Sequence, residues 1–378
     1  MAKPRKRGQK SDPGAIRLSD VARRVGCSTS TVSRALTMPA VVNEEVRARI
    51  HAAIAELGYL RNNAAGALRT RRTRTIGAVI PTLDHAIYAR LVETLQNAAG
   101  ENGYSLLVTT SNFEVEREWR QARLLVERGA EGLVLVGHTH APELMTLLAV
   151  KQIPFINTYT YRPKSAQSSV GFDNRAASAQ IAQYLYELGH RQFGLIVGFR
   201  KNNDRVKDRI DGVVETLAAH GVEVPETAIV EEPYSIEGGR GGLRRLLEGT
   251  PKPTAVICGS DVLAFGAVVE CDERGIEIPR QLSIAGFDDL DFAAHLRPAL
   301  TTVRVPAAEM GKRAADYLMA QLDGKPHAAH YPLDTSLILR QSTAPPRAMR
   351  SARDAPAARK GPMRSRKGNG GGRRRKAV

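Results

Sequence analysis

Beyond Ile76, short apolar runs alternate with longer segments of helical period, and no other feature limits the possible folds so tightly. The runs are Ile76–Pro81, Tyr104–Thr110, Gly132–Val136, Pro154–Asn157, Phe193–Val197, Ala255–Cys258 and Leu282–Phe287. Their length suits strands rather than helices, and the scarcity of polar alternation marks strands covered on both faces. Between them lie amphipathic segments such as Tyr88–Glu101, Asn174–Leu188, Val206–His220 and Asp261–Arg274. A strand–helix rhythm of this kind builds parallel sheets with helices packed on either side. It continues over about 265 residues, which predicts two α/β lobes rather than one very large sheet.

The amino-terminal portion has a different period. Ser19 is placed to cap a helix through Val21, Ala22 and Val25, and Gly26-Cys27-Ser28 supplies a turn. Ser28 can cap a second helix from Thr29 to about Leu36, with Val32, Ala35 and Leu36 on its apolar face. Asn43 can cap a third helix bearing Val46, Ile50, Ile54 and Leu57, which Gly58 stops. Three short helices joined in this way predict a helix-turn-helix unit. The second helix opens with Ser28, Thr29, Ser30, Thr31 and Ser33, followed by Arg34 one turn beyond Ser30. Hydroxyls and amides at a helix start hold phosphates, and an arginine one turn on can grip a guanine edge. On hydroxyl content alone the stretch would simply start a helix; the turn before it and the basic segment Arg69–Thr75 give it meaning.

Charge follows the same division. The chain of 378 residues carries a net charge of +16. Residues 1–16 hold five basic and one acidic side chain, residues 17–74 eleven and four, and residues 344–378 twelve and one. The remaining 75–343 stretch is mildly acidic, with 27 basic and 33 acidic side chains. Basic ends on an acidic body point to nucleic acid as a partner. Taken alone, each tail reads as a solvated disordered segment. No run approaches the roughly 18 apolar residues of a membrane helix, and no apolar segment follows Lys3, Arg5, Lys6 and Arg7 as a secretory signal would require. Cys27, Cys258 and Cys271 are odd in number and lack zinc spacing, which fits a reducing cytosol. A cytoplasmic, nucleoid-associated protein without metal or cofactor is expected.

The stretches LSDVARRVGCSTSTVSRAL and VNEEVRARIHAAIAELGYLRNNAAGALRT closely resemble the headpiece of the lactose-repressor (LacI/GalR) family. The resemblance continues through IGAVIP, GLVLVG, VGFDN, LGHRQFGLI, NNDRVKDRIDG, SDVLAFGA, LSIAGFDDLDFAAHLRPALTTVR and ILRQST, covering about residues 17–343. It implies an all-α helix-turn-helix headpiece (17–61), a hinge helix and linker (62–75), and a periplasmic-binding-protein-like core of two parallel-sheet lobes (76–343). Basic tails, 1–16 and 344–378, flank these parts. It further implies that Thr29, Ser30 and Arg34 read bases, and that the hinge helix Asn62–Leu68, including Ala65, enters the minor groove with Leu68 as an apolar wedge. Such a wedge unstacks a base step and bends the duplex. The family usually has proline before the hinge asparagine, whereas this chain has Arg61, and Gly66 costs about 1 kcal/mol of helix propensity. Both departures favour a hinge that is helical only on DNA.

For the effector, the resemblance implies Arg209 as the arginine that grips the ligand, with Tyr234, Asp261 and Asp288 at further cleft positions. His85-Ala86-Ile87-Tyr88 stands where Asn-Pro-aromatic is more usual, which adds Ile87 and Tyr88. VGHTHAPE and VGFDN are similar to the gluconate-repressor branch, implying a sugar or sugar acid. Carboxylates accept hydrogen bonds from sugar hydroxyls, and arginine grips a carboxylate or a hydroxyl pair. In isolation Asp261 and Asp288 would as readily cap helices or loops. The implied function is an effector-controlled regulator, acting as a homodimer or a tetramer on a near-palindromic operator. Two other classes compete. An enzyme would need a motif such as G-x-G-x-x-G after a strand, a P-loop or a G-x-S-x-G elbow, and none occurs. The glycines at 238, 239, 241 and 242 read as packing positions near a helix start, and Asp288, Asp289 and Asp291 follow a strand that similar repressors use for ligand binding. A sugar-binding protein for a transporter would lack the headpiece and any salt-dependent retention on DNA.

Overall fold

The computed structural model describes residues 16–60 and 72–346, in two compact units that divide at Thr73. In the first unit, α1 (Leu18–Val25), α2 (Thr29–Thr37) and α3 (Glu44–Leu57) bury Val21, Ala22, Val25, Val32, Ala35, Ile50 and Ala53 against one another. The first helix starts earlier than expected. Arg17, not Ser19, is its cap residue, because the Asp20 carboxylate turns back to accept the Arg17 N–H at 2.9 Å. The other two caps are as read: Ser28 accepts the Thr31 N–H at 3.1 Å and Asn43 the Glu45 N–H at 2.9 Å. Gly26 and Gly58 end α1 and α3 with φ of 76° and 64°, a left-handed conformation that costs glycine nothing. The expected hinge residues Asn62, Ala65 and Leu68 lie outside the described residues.

The second unit has two lobes. In the first lobe, β1 (Thr75–Ile80), β2 (Ser105–Thr110), β3 (Leu133–Val136), β4 (Phe155–Thr158), β5 (Ser169–Gly171) and β11 (His330–Pro332) form one parallel sheet, ordered β11-β5-β4-β3-β1-β2. The second lobe pairs β6 (Phe193–Val197), β7 (Ile229–Glu231), β8 (Ala255–Cys258), β9 (Ser283–Asp288), β10 (Thr301–Arg304) and β12 (Ser336–Ile338), ordered β12-β10-β9-β8-β6-β7. Among the described strands, only β12 runs antiparallel to its neighbour. The helices α4 (Ala86–Glu101), α5 (Val115–Glu127), α6 (Pro142–Lys151) and α11 (Ala307–Leu322) flank the first sheet. The second sheet carries α7 (Asn174–Glu187), α8 (Asp204–Ala219), α9 (Ile236–Glu248) and α10 (Asp261–Glu273). Between the lobes the chain crosses three times, after β5, after β10 and after β11.

The seven expected strands are all present to within a residue or so at either end, and the four quoted helices differ by no more than two residues. The two-lobed parallel architecture is therefore as read. Five strands were not foreseen: β5, β7, β10, β11 and β12. Each is three or four residues long, and most carry polar or charged residues, so neither length nor periodicity distinguishes them from loops. The glycines at 239 and 242 do serve packing. A Cβ on Gly239 would sit 2.1 Å from the Leu263 carbonyl, and one on Gly242 2.6 Å from Ile196.

Candidate functional site

Two groups of residues carry the chemistry. On α2, the side chains of Ser28, Thr29, Ser30 and Arg34 are exposed, while Thr31 and Ser33 are half-buried. Ser28 Oγ lies 2.7 Å from Ser30 Oγ and 2.8 Å from Thr31 Oγ1, so the three hydroxyls are held together at the helix start. Val32 and Ala35 are buried on the other face, which fixes the polar face outward. Arg34 has no ion-pair partner among the described residues and is available to a ligand.

The second group faces the cleft between the lobes at the strand ends, where open α/β sheets bind ligands. Arg209 on α8 donates from Nε to Asn174 Oδ1 at 2.9 Å and from Nη1 to the Gly259 carbonyl at 2.8 Å. Its guanidinium carbon lies 3.8 Å from the centre of the Phe287 ring. Stacking and two neutral acceptors thus fix the plane of the fork. Asp288 ends β9 with a φ of 116° and is 7% exposed. Burial pushes its carboxyl up to about 7, with only the nearby Arg209 charge opposing the rise.

Aromatic side chains line the first lobe's wall. Tyr88 packs edge-on against Tyr159 at 5.2 Å, and Tyr159 donates its hydroxyl proton to the Ile87 carbonyl at 2.6 Å. Burial raises the Tyr88 phenol to about 12, so it stays protonated as a donor. His85 Nε2 reaches across the cleft to the Tyr234 carbonyl at 3.0 Å, and its ring packs on Tyr234. Since a carbonyl only accepts, His85 donates from Nε2. Burial lowers the pKa of this imidazole despite the bond to Tyr234. Together with Phe113, these rings separate an inner cavity of about 30 Å³ from an open outer chamber of about 920 Å³. Other contacts hold the lobes shut. Arg162 meets Asp208 at 2.6 Å, Asp204 accepts the His138 N–H at 3.1 Å, Asn174 donates to the Tyr159 carbonyl at 2.8 Å, and Arg90 pairs with Asp291.

Of the expected cleft residues, Ile87, Tyr88, Arg209, Tyr234 and Asp288 line the inner cavity together. Asp261 does not. It is fully buried, and its two oxygens accept the Leu290 N–H at 2.7 Å and the Thr302 hydroxyl at 2.6 Å. Its carboxylate braces the loop that presents Asp288, and its neighbour Ser260 faces the cavity in its place. Sequence reading missed Phe113, Tyr159, Asn203, Arg205 and Ser260. Arg205 precedes Arg209 by four residues, so helical spacing alone could have found it. Arg205 donates to the Val136 carbonyl and to Asp204, each at 3.2 Å.

Comparison with known proteins gives the arrangement its context. Residues 17–62 match the bacterial regulatory proteins of the lacI family, and residues 182–343 match the periplasmic binding protein-like domain. The HTH-type transcriptional repressor PurR of Pectobacterium carotovorum subsp. carotovorum (strain PC1) is 30% identical over 330 residues, covering 86% of this chain and 96% of that protein. The chain belongs to the lacI family. As a member it is a DNA-binding transcriptional regulator with a small-molecule effector domain. The HTH-type transcriptional repressor CytR of Escherichia coli (strain K12) is also 30% identical, over 88% of this chain and 98% of that protein. Among solved structures, a lacI-family regulator from Silicibacter pomeroyi superposes with a TM-score of 0.78 at 25% identity, covering 87% of this chain and 99% of that one. The lac repressor dimer bound to operator and the anti-inducer ONPF shares the fold, with a TM-score of 0.78 at 24% identity over 87% of this chain and 99% of that one. These relatives are regulators rather than enzymes. No helix among the described residues is long and apolar enough to cross a membrane, and no group of metal-ligating side chains occurs among them.

Proposed function

We propose that this lacI-family chain is a repressor that binds a near-palindromic operator as a homodimer, with affinity set by a sugar or sugar acid in the cleft. The observation that carries the effector half is the presence of a stacked Arg209 and a buried Asp288 in the lining of one aromatic-walled cavity. The transcriptional regulator CelR was solved as a complex with cellobiose, and it is 28% identical with a TM-score of 0.64, which supports a carbohydrate-like ligand. In the DNA-reading half, Thr29, Ser30 and Arg34 contact bases, and Ser28, Thr31 and Ser33 position the helix on phosphates. Asn62, Ala65 and Leu68 form the minor-groove element. A dimer places two recognition helices on two half-sites, which the specificity of a short helix requires. The cytoplasm, at the nucleoid, is where such a protein acts.

Selection of operators from random DNA with the full chain, followed by titration, tests this. We expect a two-fold-related site, and Arg34→Ala should weaken specific binding by about 1–3 kcal/mol while relaxing preference at one base pair. Binding without sequence preference, or a sugar and sugar-acid panel that leaves operator affinity unchanged, would refute the proposal.

A further inference from the structure

The effector cavity is unusual in its charge balance. Arg205 and Arg209 stand one helical turn apart on α8 and both face the cavity. Arg205 is already compensated, since Asp204 Oδ1 lies 3.2 Å from its Nη1. Arg209 is not. Its partners are an amide oxygen, a backbone carbonyl and an aromatic face, and its Nη2 has no partner among the described residues. Asp288, the carboxylate that shares the cavity, is more than nine-tenths buried, and its side chain makes no hydrogen bond or ion pair among them either. A cation and an acid thus line one chamber without meeting.

A neutral sugar would give Arg209 acceptors but leave its charge without a contacting counter-ion in a largely buried cavity, which is costly. A carboxylate on the free edge of the fork supplies both the charge and short, charge-assisted hydrogen bonds. A phosphate dianion would bring two negative charges to one uncompensated guanidinium, beside Asp288. One negative charge matches the site. Its arrival also puts a second anion near Asp288, and like charges in a dry pocket push one of the two to hold a proton. A protonated Asp288 then becomes a donor, to the incoming carboxylate or to a ligand hydroxyl.

We propose that the effector is a hydroxylated monocarboxylate held by the free edge of Arg209, and that its binding places a proton on Asp288. This rests on the effector reading above and narrows it. The carboxyl of Asp288 is already raised to about 7 by burial, so the proton is within reach near neutrality. The other groups facing it are Arg209 and Arg205, the phenols of Tyr88, Tyr159 and Tyr234, and the buried Asp261. Burial raises all three phenols, and they remain protonated across the neutral range.

Calorimetry of the full chain with matched probes tests the proposal: gluconate against glucose, galactonate against galactose, and glucuronate against its methyl ester. At least one acid should bind ten times or more tighter than its neutral partner. In buffers of different ionisation heat, binding should take up close to one proton at about pH 8 and little at about pH 6. Affinity should fall by up to tenfold for each pH unit above about 7. Arg209→Ala should abolish the preference for the acid, and Asp288→Asn should bind the acid with no proton uptake. Failure of every acid to bind overturns the proposal, as does a neutral sugar that binds as tightly as its acid. Proton uptake that survives in Asp288→Asn overturns the role given to Asp288. If a neutral sugar binds and shifts operator affinity, the charge inference falls while the effector reading stands; if neither set affects operator affinity, the effector reading falls with it.

Discussion

Glu270 and Asp288 are 3% and 7% exposed, yet their surroundings drive them in opposite directions. Arg244, Arg274 and Arg240 surround Glu270, and their hydrogen bonds outweigh burial to bring its carboxyl down to about 2. Asp288 has no paired arginine, so burial dominates and its carboxyl rises to about 7. The signs differ accordingly. Glu270 stabilises the fold above its ordinary value of 4.5, and that contribution is lost as pH falls through about 2. Asp288 contributes most below its ordinary value of 3.8, and its contribution is lost as pH rises through about 7. Urea denaturation should therefore find Glu270→Gln less stable than the parent at pH 7. Without ligand, Asp288→Asn should be more stable than the parent at pH 8, with the gap closing toward pH 4. An Asp288→Asn protein that gains nothing at pH 8 would contradict the burial argument. At this scale Arg209 and Asp288 were legible through family resemblance, because each occupies a fixed place beside a recognisable motif. Asp261 was misplaced because an acidic residue after a strand reads alike whether it faces ligand or braces a loop.

Among the elements, the crossing of α9 and α10 sets two contributions against each other. Alanine normally favours a helix over glycine by about 0.5–1 kcal/mol. A Cβ on Gly266, however, would lie 2.1 Å from the Ile236 carbonyl and 2.8 Å from the Gly239 Cα. Backbone atoms cannot rotate away as a side chain would, so packing should win. Gly266→Ala is expected to destabilise the core by about 1–3 kcal/mol in denaturant melts. A stabilised variant would show that the helices separate easily. Sequence reading identified the neighbouring glycines as packing positions, but their partners, Leu263 on α10 for Gly239 and Ile196 on β6 for Gly242, lie on other elements well away along the chain. The strands divide in a similar manner: β1, β3, β6, β8 and β9 are buried and apolar along their centres, and each announces itself. The three-residue strands β11 and β12 depend on partners the sequence does not point to.

The whole molecule combines a reader, a sensor and polycationic ends. The carboxyl-terminal segment from Arg347 carries twelve basic side chains and one acidic. Ala344 still belongs to the core, because its carbonyl accepts from His190 Nε2 at 3.0 Å and from the Ser283 hydroxyl at 3.1 Å. A truncation at residue 347 therefore keeps these contacts. It should lower affinity for all DNA sequences alike and reduce the salt slope by about 0.9 for each phosphate that the segment neutralises. A changed sequence preference would contradict this role. The three crossings between the lobes bear on how the protein is made. The first lobe lacks α11 and β11 until residue 332 has been synthesised, and the second lacks β12 until residue 338. The three helices of the headpiece, by contrast, are complete once Gly58 has been added. During translation there is accordingly an interval in which the chain holds a complete three-helix headpiece and no working sensor, so its first contact with phosphates can precede any capacity to be regulated.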